Sequence, residues 1–249
     1  MKLKAPERVT WTQSGFCPGC GHGIAFRLIA EVMEELGLSD KLLLTVDVAC
    51  CSLAIECVKY DTIMCAHGRG VATAIGAKKV RPENPVCAYL GDGAAYSIGM
   101  AETIHTGLRN DNVVVITVNN SLYGMTGGQM APTTLPGQKT TSSKYGKDPE
   151  RFGMPFNIVD AYQGFKIGYL ARGALCDVAN INKAKSYIKK AFEKHMNGDG
   201  LCYVELLSAC PTNLNMQPVK AMQRIKEEMV PYFPLGEFQD NTKEKKEEE

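Results

Sequence analysis

Two polar segments of the chain carry the oxygen atoms that a small divalent cation needs. Gly91-Asp92-Gly93 follows an apolar run that predicts a β-strand, and Asn119-Asn120 directly follows the next such run. In parallel strands joined by one right-handed crossover, both carboxyl ends lie at the same edge of the sheet, so Asp92 and Asn120 can converge on one ion. Mg²⁺ prefers oxygen ligands in octahedral geometry and leaves positions for phosphate oxygens. A lone Gly-Asp-Gly triplet also forms ordinary turns, and the later Asn pair is what favours a Mg²⁺ site.

Cysteines form a second set of candidate ligands at three places in the chain. Cys17 and Cys20 enclose two residues of a glycine-rich turn, which lets both sulfurs face one metal centre. Cys50-Cys51 and Cys210 each follow a predicted strand, and those strands should end at the same sheet edge as Asp92. The residues alone leave open a zinc site, a redox pair and half of an iron-sulfur site.

Both sets together resemble the β subunits of the 2-oxoacid:ferredoxin oxidoreductases. Gly-Asp-Gly followed by Asn-Asn is similar to the thiamine diphosphate motif, and the stretch from Asn120 to Gln129 continues it as in that family. The family also carries Cys-Pro-x-Cys-Gly near the start, Cys-Ser after an early strand and Cys-Pro-Thr near the end. The resemblance implies that Asp92, Asn120 and the Leu122 carbonyl hold Mg²⁺. The cofactor-binding residues that it implies are His67, Gly68, Gly91, Asp92, Gly93, Asn120, Leu122 and Thr126.

The same resemblance implies a 4Fe-4S cluster on four of the cysteines. These are Cys17, Cys20, Cys51 and Cys210. Cys51 is preferred to Cys50 because Ser52 follows it, as in the family pattern. Zinc is the alternative, since tetrahedral sulfur ligation suits either metal, but a redox-inert ion beside thiamine chemistry accepts no electrons. The thiols predicted to lie inside strands or helices as packing residues are Cys57, Cys65, Cys87, Cys176 and Cys202.

The activity implied by the resemblance is the oxidative decarboxylation of a 2-oxoacid. Coenzyme A and the 2-oxoacid give an acyl-CoA and CO2, and electrons pass through the cluster to ferredoxin. The favoured substrate is 3-methyl-2-oxobutanoate, and 2-oxoglutarate is the next. Gly127 stands where some members have a lysine thought to meet the substrate carboxylate, so that anchor must come from elsewhere.

The family assembles from several subunits, and the resemblance implies partners for this chain. An α subunit is expected to supply the glutamate that activates thiamine, and γ or ferredoxin-like subunits should complete the complex. Two other functions remain open at this point. One is a non-redox thiamine diphosphate-dependent decarboxylase subunit, which has no use for four convergent thiols, and the other is a non-catalytic zinc-binding scaffold.

Composition narrows the class of partner. The chain has 249 residues, 45% of them hydrophobic, with 28 Lys and Arg against 27 Asp and Glu. A net charge of +1 gives no electrostatic reason to bind nucleic acid or an anionic membrane. Because neither a long apolar run nor a signal-peptide core is present, we expect a cytoplasmic protein with reduced thiols.

The elements that position these residues alternate between strand and helix patterns, which predicts an α/β fold with a doubly wound, mostly parallel sheet. The predicted strands are 42–49, 86–90, 113–118, 165–171 and 202–208. The predicted helices are 23–36, 70–79, 98–108, 177–195 and 216–229, with Asp177 as an N-cap. Residues 123–156 read as a long functional loop or a broken helix. We expect one thiamine diphosphate-binding domain over residues 1–240 and a charged, disordered tail over 241–249.

Overall fold

A computed structural model describes residues 5–10 and 14–242 of the chain, which build a seven-stranded sheet and a small hairpin. The β-strands are β1 Leu43–Asp47, β2 Asp61–Cys65, β3 Val86–Gly91, β4 Val114–Asn119, β5 Leu122–Tyr123, β6 Gln129–Met130, β7 Tyr169–Ala174, β8 Cys202–Leu207 and β9 Gly236–Asp240. Strands β5 and β6 pair with each other, and the remaining strands form the sheet in the order β2-β1-β3-β4-β8-β7-β9.

Helices cover both faces of this sheet. The α-helices are α1 Gly21–Glu35, α2 Gly70–Val80, α3 Met100–Arg109, α4 Pro149–Phe152, α5 Ile158–Ala161, α6 Val178–Met196, α7 Pro211–Leu214, α8 Pro218–Arg224 and α9 Val230–Tyr232. Alternate residues of the central strands pack into one cluster with α1 and α6 and into another with α2. Burial on both faces explains why these strands are continuously apolar.

All neighbouring strands of the sheet are parallel except β9, which runs antiparallel to β7. This confirms the predicted doubly wound, mostly parallel α/β fold. The chain passes from β1 outward to β2 and then returns to β3 on the other side of β1. The loops after β1 and β3 therefore leave in opposite directions and open a crevice at the carboxyl edge, which is where open α/β sheets bind ligands.

The strand predicted over 165–171 was wrong in its position. β7 spans Tyr169–Ala174, because Phe165 closes a turn onto Tyr162 and the strand starts only after Gly168. The strand continues through Arg172, whose charge is paired with Glu205 inside the core. The edge strands β2 and β9 were not predicted. β9 has no apolar run, and the run Ile63-Met64-Cys65 of β2 is short and largely exposed.

Both ends of the predicted C-terminal segment needed correction. The helix predicted over 216–229 forms as α8, continues through a π-helical segment Ile225–Met229 and extends into α9 beyond Pro231. Pro231 thus lies inside a continuous helical run, next to its last residue Tyr232, and did not stop the helix.

The predicted tail starts too early, because two of its residues belong to the fold. The Asn241 amide N–H donates to the Gly168 carbonyl (2.9 Å), and Thr242 accepts a bond from Lys194 (3.2 Å). Residues 243–249 lie outside the described part. Among the helices of the described residues, none has the length and apolar character needed to cross a membrane.

Candidate functional site

Asp92 lies at the first helical turn after β3 and is 2% exposed. Its carboxylate accepts a hydrogen bond from the Thr133 hydroxyl, which comes from the long loop after β6. Burial raises the pKa of Asp92 to about 7, against the Thr133 and Gly93 hydrogen bonds, which lower it. A carboxylate that is desolvated without a cationic partner is suited to a metal ion, because a bound cation offsets the cost of burying its charge.

Asn120 and Leu122 follow β4 and are held by an unusual backbone turn between them. Ser121 has a positive φ of 64°, and its carbonyl accepts bonds from Thr134 (2.6 Å) and Gln138 (3.1 Å). A non-glycine residue adopts this conformation at a cost, so the surrounding bonds must hold it. Asn120 and Leu122 both line the same cleft as Asp92, which is the convergence that the sequence predicted.

The two glycines of Gly91-Asp92-Gly93 differ in how strictly they are needed. A Cβ on Gly93 would come within 2.2 Å of the Tyr123 ring, whereas a Cβ on Gly91 would meet nothing within 4 Å. Gly93 thus lets the β5 hairpin close over the turn, and the Tyr123 hydroxyl donates to the Gly93 carbonyl (3.3 Å). The helix that follows opens with π-helical Ala94–Ile98, and its first free N–H groups suit an anion such as a diphosphate.

Asp47 is a member of the site that the sequence reasoning missed. It ends β1 with its side chain fully buried, accepts a hydrogen bond from Nδ1 of His67 and also one from the Gly68 amide (2.7 Å). Burial raises the pKa of Asp47, although the His67 and Gly68 hydrogen bonds oppose this. With Nδ1 engaged, His67 keeps its other ring nitrogen for the cleft, which it lines. An Asp at the end of an apolar run was the available signal, as it was for Asp92.

A cleft of ≈ 310 Å³ at the carboxyl edge brings the predicted cofactor residues together. Those that line it are His67, Gly91, Asp92, Gly93, Asn120, Leu122 and Thr126, while Gly68 lies beside His67 as its backbone neighbour. The volume falls within the usual range of small-molecule sites. Gly127 has φ of 106°, a conformation that side chains rarely adopt, so this turn favours glycine over a lysine.

The predicted cluster residues converge only in part. Burial raises the pKa of Cys20 to about 12 and that of Cys50 to about 11, and repulsion from Cys17 and Cys210 adds to it in both. Burial also raises the pKa of Cys210, again with repulsion from Cys17. A Cβ on Gly124 would lie 3.0 Å from Cys50 Sγ and 3.8 Å from Cys210 Sγ, so both sulfurs flank the loop that lines the cleft. Cys50 is thus the strand-end thiol that accompanies the other three.

Cys51 is placed differently from the prediction. It is fully buried within the core cluster, its thiol donates to the Asp47 carbonyl (3.1 Å), and its pKa is raised by burial and by Asp47. Atoms of Cys51 reach the cleft wall, but the 3₁₀ helix Cys50–Glu56 turns successive side chains about 120° apart. Cys50 interacts electrostatically with Cys17 and Cys210, whereas Cys51 interacts with Asp47 and Cys50, so this arrangement of the free thiols favours Cys50 over Cys51.

The spacing of the thiols bears on the choice of metal. In the described part of the chain, no group of three His, Cys, Asp or Glu side chains is close enough to hold a single ion. Thiolates on one zinc lie ~3.8 Å apart, from a Zn–S distance of ~2.3 Å, whereas the ligands of a larger cluster stand further apart. The described residues therefore show neighbouring thiols rather than a ready-made site for a single ion.

A buried ion pair stabilises the turn that carries Asn120. The Arg172 guanidinium and the Glu205 carboxylate are hydrogen-bonded, and both are 1% exposed. Glu205 also accepts bonds from Tyr96 and from the side chain of Asn119, each at 3.0 Å. Asn119 in turn accepts the Ser121 N–H (3.1 Å), so the pair fixes the turn that carries Asn120.

His22, at the start of α1, is packed rather than free. It is 2% exposed, its Nδ1 lies 2.8 Å from the Tyr89 hydroxyl, and Phe16 stacks on it. Burial lowers the pKa of His22 to about 4, so the ring is neutral at physiological pH.

Comparison with known proteins assigns the chain to a family. Residues 48–206 match the family model described as the C-terminal TPP binding domain of thiamine pyrophosphate enzymes. The chain is 34% identical over 212 residues to the 2-oxoglutarate synthase subunit KorB of Archaeoglobus fulgidus, covering 85% of this chain and 75% of that protein. The chain belongs to the thiamine diphosphate-binding subunits of the 2-oxoacid:ferredoxin oxidoreductase family.

Other members of the family extend the match over nearly the whole chain. It is 38% identical over 234 residues to the ketoisovalerate oxidoreductase subunit VorA of Methanothermobacter thermautotrophicus, covering 94% of this chain and 49% of that protein. The chain thus spans about half the length of this relative. The 2-oxoglutarate:ferredoxin oxidoreductase of Magnetococcus marinus aligns with a TM-score of 0.77 at 23% identity, over 98% of this chain and 87% of that one, which shows a shared fold.

Proposed function

We propose that this chain is the catalytic subunit of a CoA-acylating 2-oxoacid:ferredoxin oxidoreductase. The observation that carries the proposal is one cleft that joins Asp92 and Asn120 to Cys50, with the Cys210 sulfur beside that of Cys50 at Gly124. The substrate is a 2-oxoacid, which with coenzyme A gives an acyl-CoA and CO2, and ferredoxin takes the electrons. A non-redox decarboxylase would need Asp92 and Asn120 to bind its cofactor but would have no use for the thiols.

The residues of the cleft fit thiamine diphosphate and Mg²⁺. Asp92, the Asn120 side chain and the Leu122 carbonyl supply the mix of one carboxylate and neutral oxygens that Mg²⁺ accepts beside phosphate. When bound, thiamine diphosphate supplies the carbanion chemistry of decarboxylation. Gly91 and Gly93 keep side chains away from the proposed diphosphate side of the cleft, which Thr126 also lines.

His67 and Asp47 have a role that follows from their hydrogen bonds. Asp47 holds the ring of His67 through Nδ1 and fixes Gly68 through its amide, so the wall of the cleft keeps one shape. The free ring nitrogen of His67 is available to donate or accept one hydrogen bond in the cleft. His67 thus orients the contents of the cleft, and Asp47 orients His67.

The ligand set that we propose for the 4Fe-4S cluster is Cys17, Cys20, Cys50 and Cys210. All four are free thiols, and the iron ions of a bound cluster would stabilise their thiolates against the burial and repulsion that raise the pKa values of Cys20, Cys50 and Cys210. Cys50 replaces Cys51 in this set for the geometric reasons given above.

The favoured substrate is 3-methyl-2-oxobutanoate, with 2-oxoglutarate next. The described residues that line the cleft include apolar Val48, Leu122 and Met125 but neither Lys nor Arg. A second substrate carboxylate would therefore meet no Lys or Arg among these lining residues, whereas a branched apolar side chain would find apolar walls. The relative with 38% identity is named for ketoisovalerate, which agrees with this preference.

A partner subunit is part of the proposal. Asp92 is the only carboxylate among the described residues lining the cleft, and the glutamate that activates thiamine is proposed to come from an α subunit. Val48 and Met125 line the cleft while 48% and 49% exposed, which leaves apolar surface at its mouth for an α subunit to cover. We place the assembled complex, with its γ or ferredoxin-like subunits, in the cytoplasm.

The test is to co-express the chain with the subunits encoded beside it and purify the complex without oxygen. Iron and sulfide are quantified, and reduction of a viologen dye is followed with a panel of 2-oxoacids in the presence of coenzyme A. We expect about four iron and four sulfide per chain above the content of the other subunits, and fastest reduction with 3-methyl-2-oxobutanoate. Absence of iron-sulfur absorbance together with no dye reduction by any 2-oxoacid would overturn the proposal.

A further inference from the structure

Asn213 links two parts of the site that are far apart in the chain. Its side-chain amide donates to the Gly124 carbonyl at 2.7 Å and lies 3.5 Å from Cys210 Sγ. Gly124 belongs to the loop that lines the cofactor cleft, and Cys210 is one of the four thiols. The Asn213 side chain thus contacts both the loop that lines the cleft and one of the four thiols.

The position of Asn213 is fixed by local structure. It lies in the first turn of α7, which begins at Pro211 directly after Cys210, so residue 213 returns to the sulfur of residue 210. Gly128 packs against its other side, where an added Cβ would come within 3.0 Å of the Asn213 Cβ. Because Gly128 also has φ of 82°, this close approach depends on glycine there. The amide is therefore held in place before any cluster binds.

The loop and the thiols meet closely at Gly124. Its missing side chain leaves a space bounded by Cys50 Sγ, Cys210 Sγ and the Asn120 amide, at 3.0, 3.8 and 3.7 Å from the Cβ position. Asn213 anchors the backbone at that contact through the Gly124 carbonyl. The amide of Asn213 therefore connects the cleft loop to a thiol through hydrogen bonds.

We propose that Asn213 is a positioning residue that sets the reduction potential of the cluster by donating a hydrogen bond to the Cys210 thiolate while it fixes the cofactor loop at Gly124. The inference rests on the proposed function, because it requires a cluster on these thiols. A hydrogen bond to a cluster thiolate stabilises the more negative, reduced form and so raises the reduction potential. Losing the donor should lower the potential, and a carboxylate in its place should lower it further.

The experiment is a redox titration of the purified complex, followed by the electron paramagnetic resonance signal of the reduced cluster. Asn213→Leu removes the donor at similar size, and Asn213→Asp replaces the donor by a charge. Asn180→Ala is the matched control, because Asn180 donates to the Cys176 thiol (3.4 Å), which lies outside the four-thiol set. We expect the midpoint potential to fall in Asn213→Leu, to fall more in Asn213→Asp and to be unchanged in Asn180→Ala.

Each outcome decides the matter. An unchanged potential in both Asn213 variants, at full iron content, overturns the inference. Failure of both variants to load iron under conditions that load the wild type also overturns it, because Asn213 would then serve assembly alone. A wild-type complex without the cluster signal contradicts the proposed function itself and is told apart by the iron analysis of the unmodified protein.

Discussion

The Thr133 hydroxyl donates a hydrogen bond to the Asp92 carboxylate, so the loop after β6 is tied to the first candidate metal ligand. Thr133 is fully buried, and it comes from the segment that the sequence presents as a long loop. The bond orients a carboxylate that has no cationic partner of its own in the described structure.

Thr133→Val should weaken Mg²⁺ binding about tenfold, because loss of a hydrogen bond behind a metal ligand usually costs about 10- to 100-fold in affinity. The measurement is the Mg²⁺ dependence of thiamine diphosphate binding by the purified complex. Thr106→Val is the matched control, because Thr106 is as buried but its hydroxyl has no hydrogen-bond partner. Equal Mg²⁺ affinities in the two variants would show that Thr133 does not orient Asp92.

Asp47→Asn should disturb the wall of the cleft without removing any group that faces its interior. An amide in place of the carboxylate can accept from Gly68 or from His67 but brings an N–H to the other contact. Hydrogen bonds to charged groups are worth about 1.5–3 kcal/mol, so the affinity for thiamine diphosphate should fall by about ten- to a hundredfold. Isothermal titration of the complex measures this.

Asp61→Asn provides the control for Asp47, because Asp61 is an exposed residue of the neighbouring strand β2. It should leave thiamine diphosphate affinity unchanged. Wild-type affinity in Asp47→Asn would contradict the role given to the Asp47–His67 pair.

Cys50→Ser and Cys51→Ser separate the two adjacent thiols. Cys50→Ser should lose the cluster or leave it incomplete, because a weaker ligand replaces a thiolate of the set. Cys51→Ser should keep full iron and sulfide content, since the introduced hydroxyl can donate to the Asp47 carbonyl as the thiol does. Anaerobic iron and sulfide analysis of both complexes measures the difference, and loss of iron in Cys51→Ser alone would restore the assignment made from the sequence.

His195 makes the fold sensitive to acid. Burial lowers the pKa of His195 to about 3, and its neutral ring accepts the Val86 N–H at Nε2 (3.1 Å) and contacts Asn112 at Nδ1 (3.1 Å). The unfolded chain, with a His pKa near about 6.5, takes up the proton first. Stability from this group is therefore full above about pH 6.5 and falls as the pH drops, by up to about 1.4 kcal/mol per pH unit.

His195→Gln removes the titration but keeps an acceptor and a donor. Thermal unfolding of the purified wild type and variant between about pH 7 and pH 5 measures the effect. The unfolding temperature of the wild type should fall more steeply with acid than that of His195→Gln. Parallel curves would contradict the account.

The central strands and the position of Asp92 and Asn120 at one edge of the sheet were predictable because their signals are local. Buried parallel strands are apolar throughout, and Asp92 and Asn120 follow two of them directly. The same rule applied to Asp47, but no motif drew attention to a single Asp at a strand end. Strands β2 and β9 lie at the edges of the sheet and expose much of their surface, so β9 lacks an apolar run and that of β2 has only three residues.

Other parts of the site depend on contacts that only tertiary structure supplies. Whether Cys50 or Cys51 faces the other thiols depends on where the 3₁₀ helix after β1 begins, and sequence pattern does not fix that to one residue. Thr133 and Asn213 reach Asp92 and Gly124 across 41 and 89 positions of the chain. Hydrogen bonds between residues so far apart in the chain produce no periodic pattern in the sequence, so the sequence does not predict them.

The most direct test of the central claim is to ask whether chemistry at the Asp92 end of the cleft delivers an electron to the thiol end. The anaerobic complex, loaded with thiamine diphosphate and Mg²⁺, is mixed with 3-methyl-2-oxobutanoate and frozen, and the reduced-cluster signal is recorded by electron paramagnetic resonance. We predict a wild-type signal that requires thiamine diphosphate. It should disappear in Asp92→Asn, and Cys50→Ser should lack the component that comes from this cluster. An identical signal in the wild type and Asp92→Asn, or no substrate-dependent signal in an iron-loaded wild type, would contradict the account.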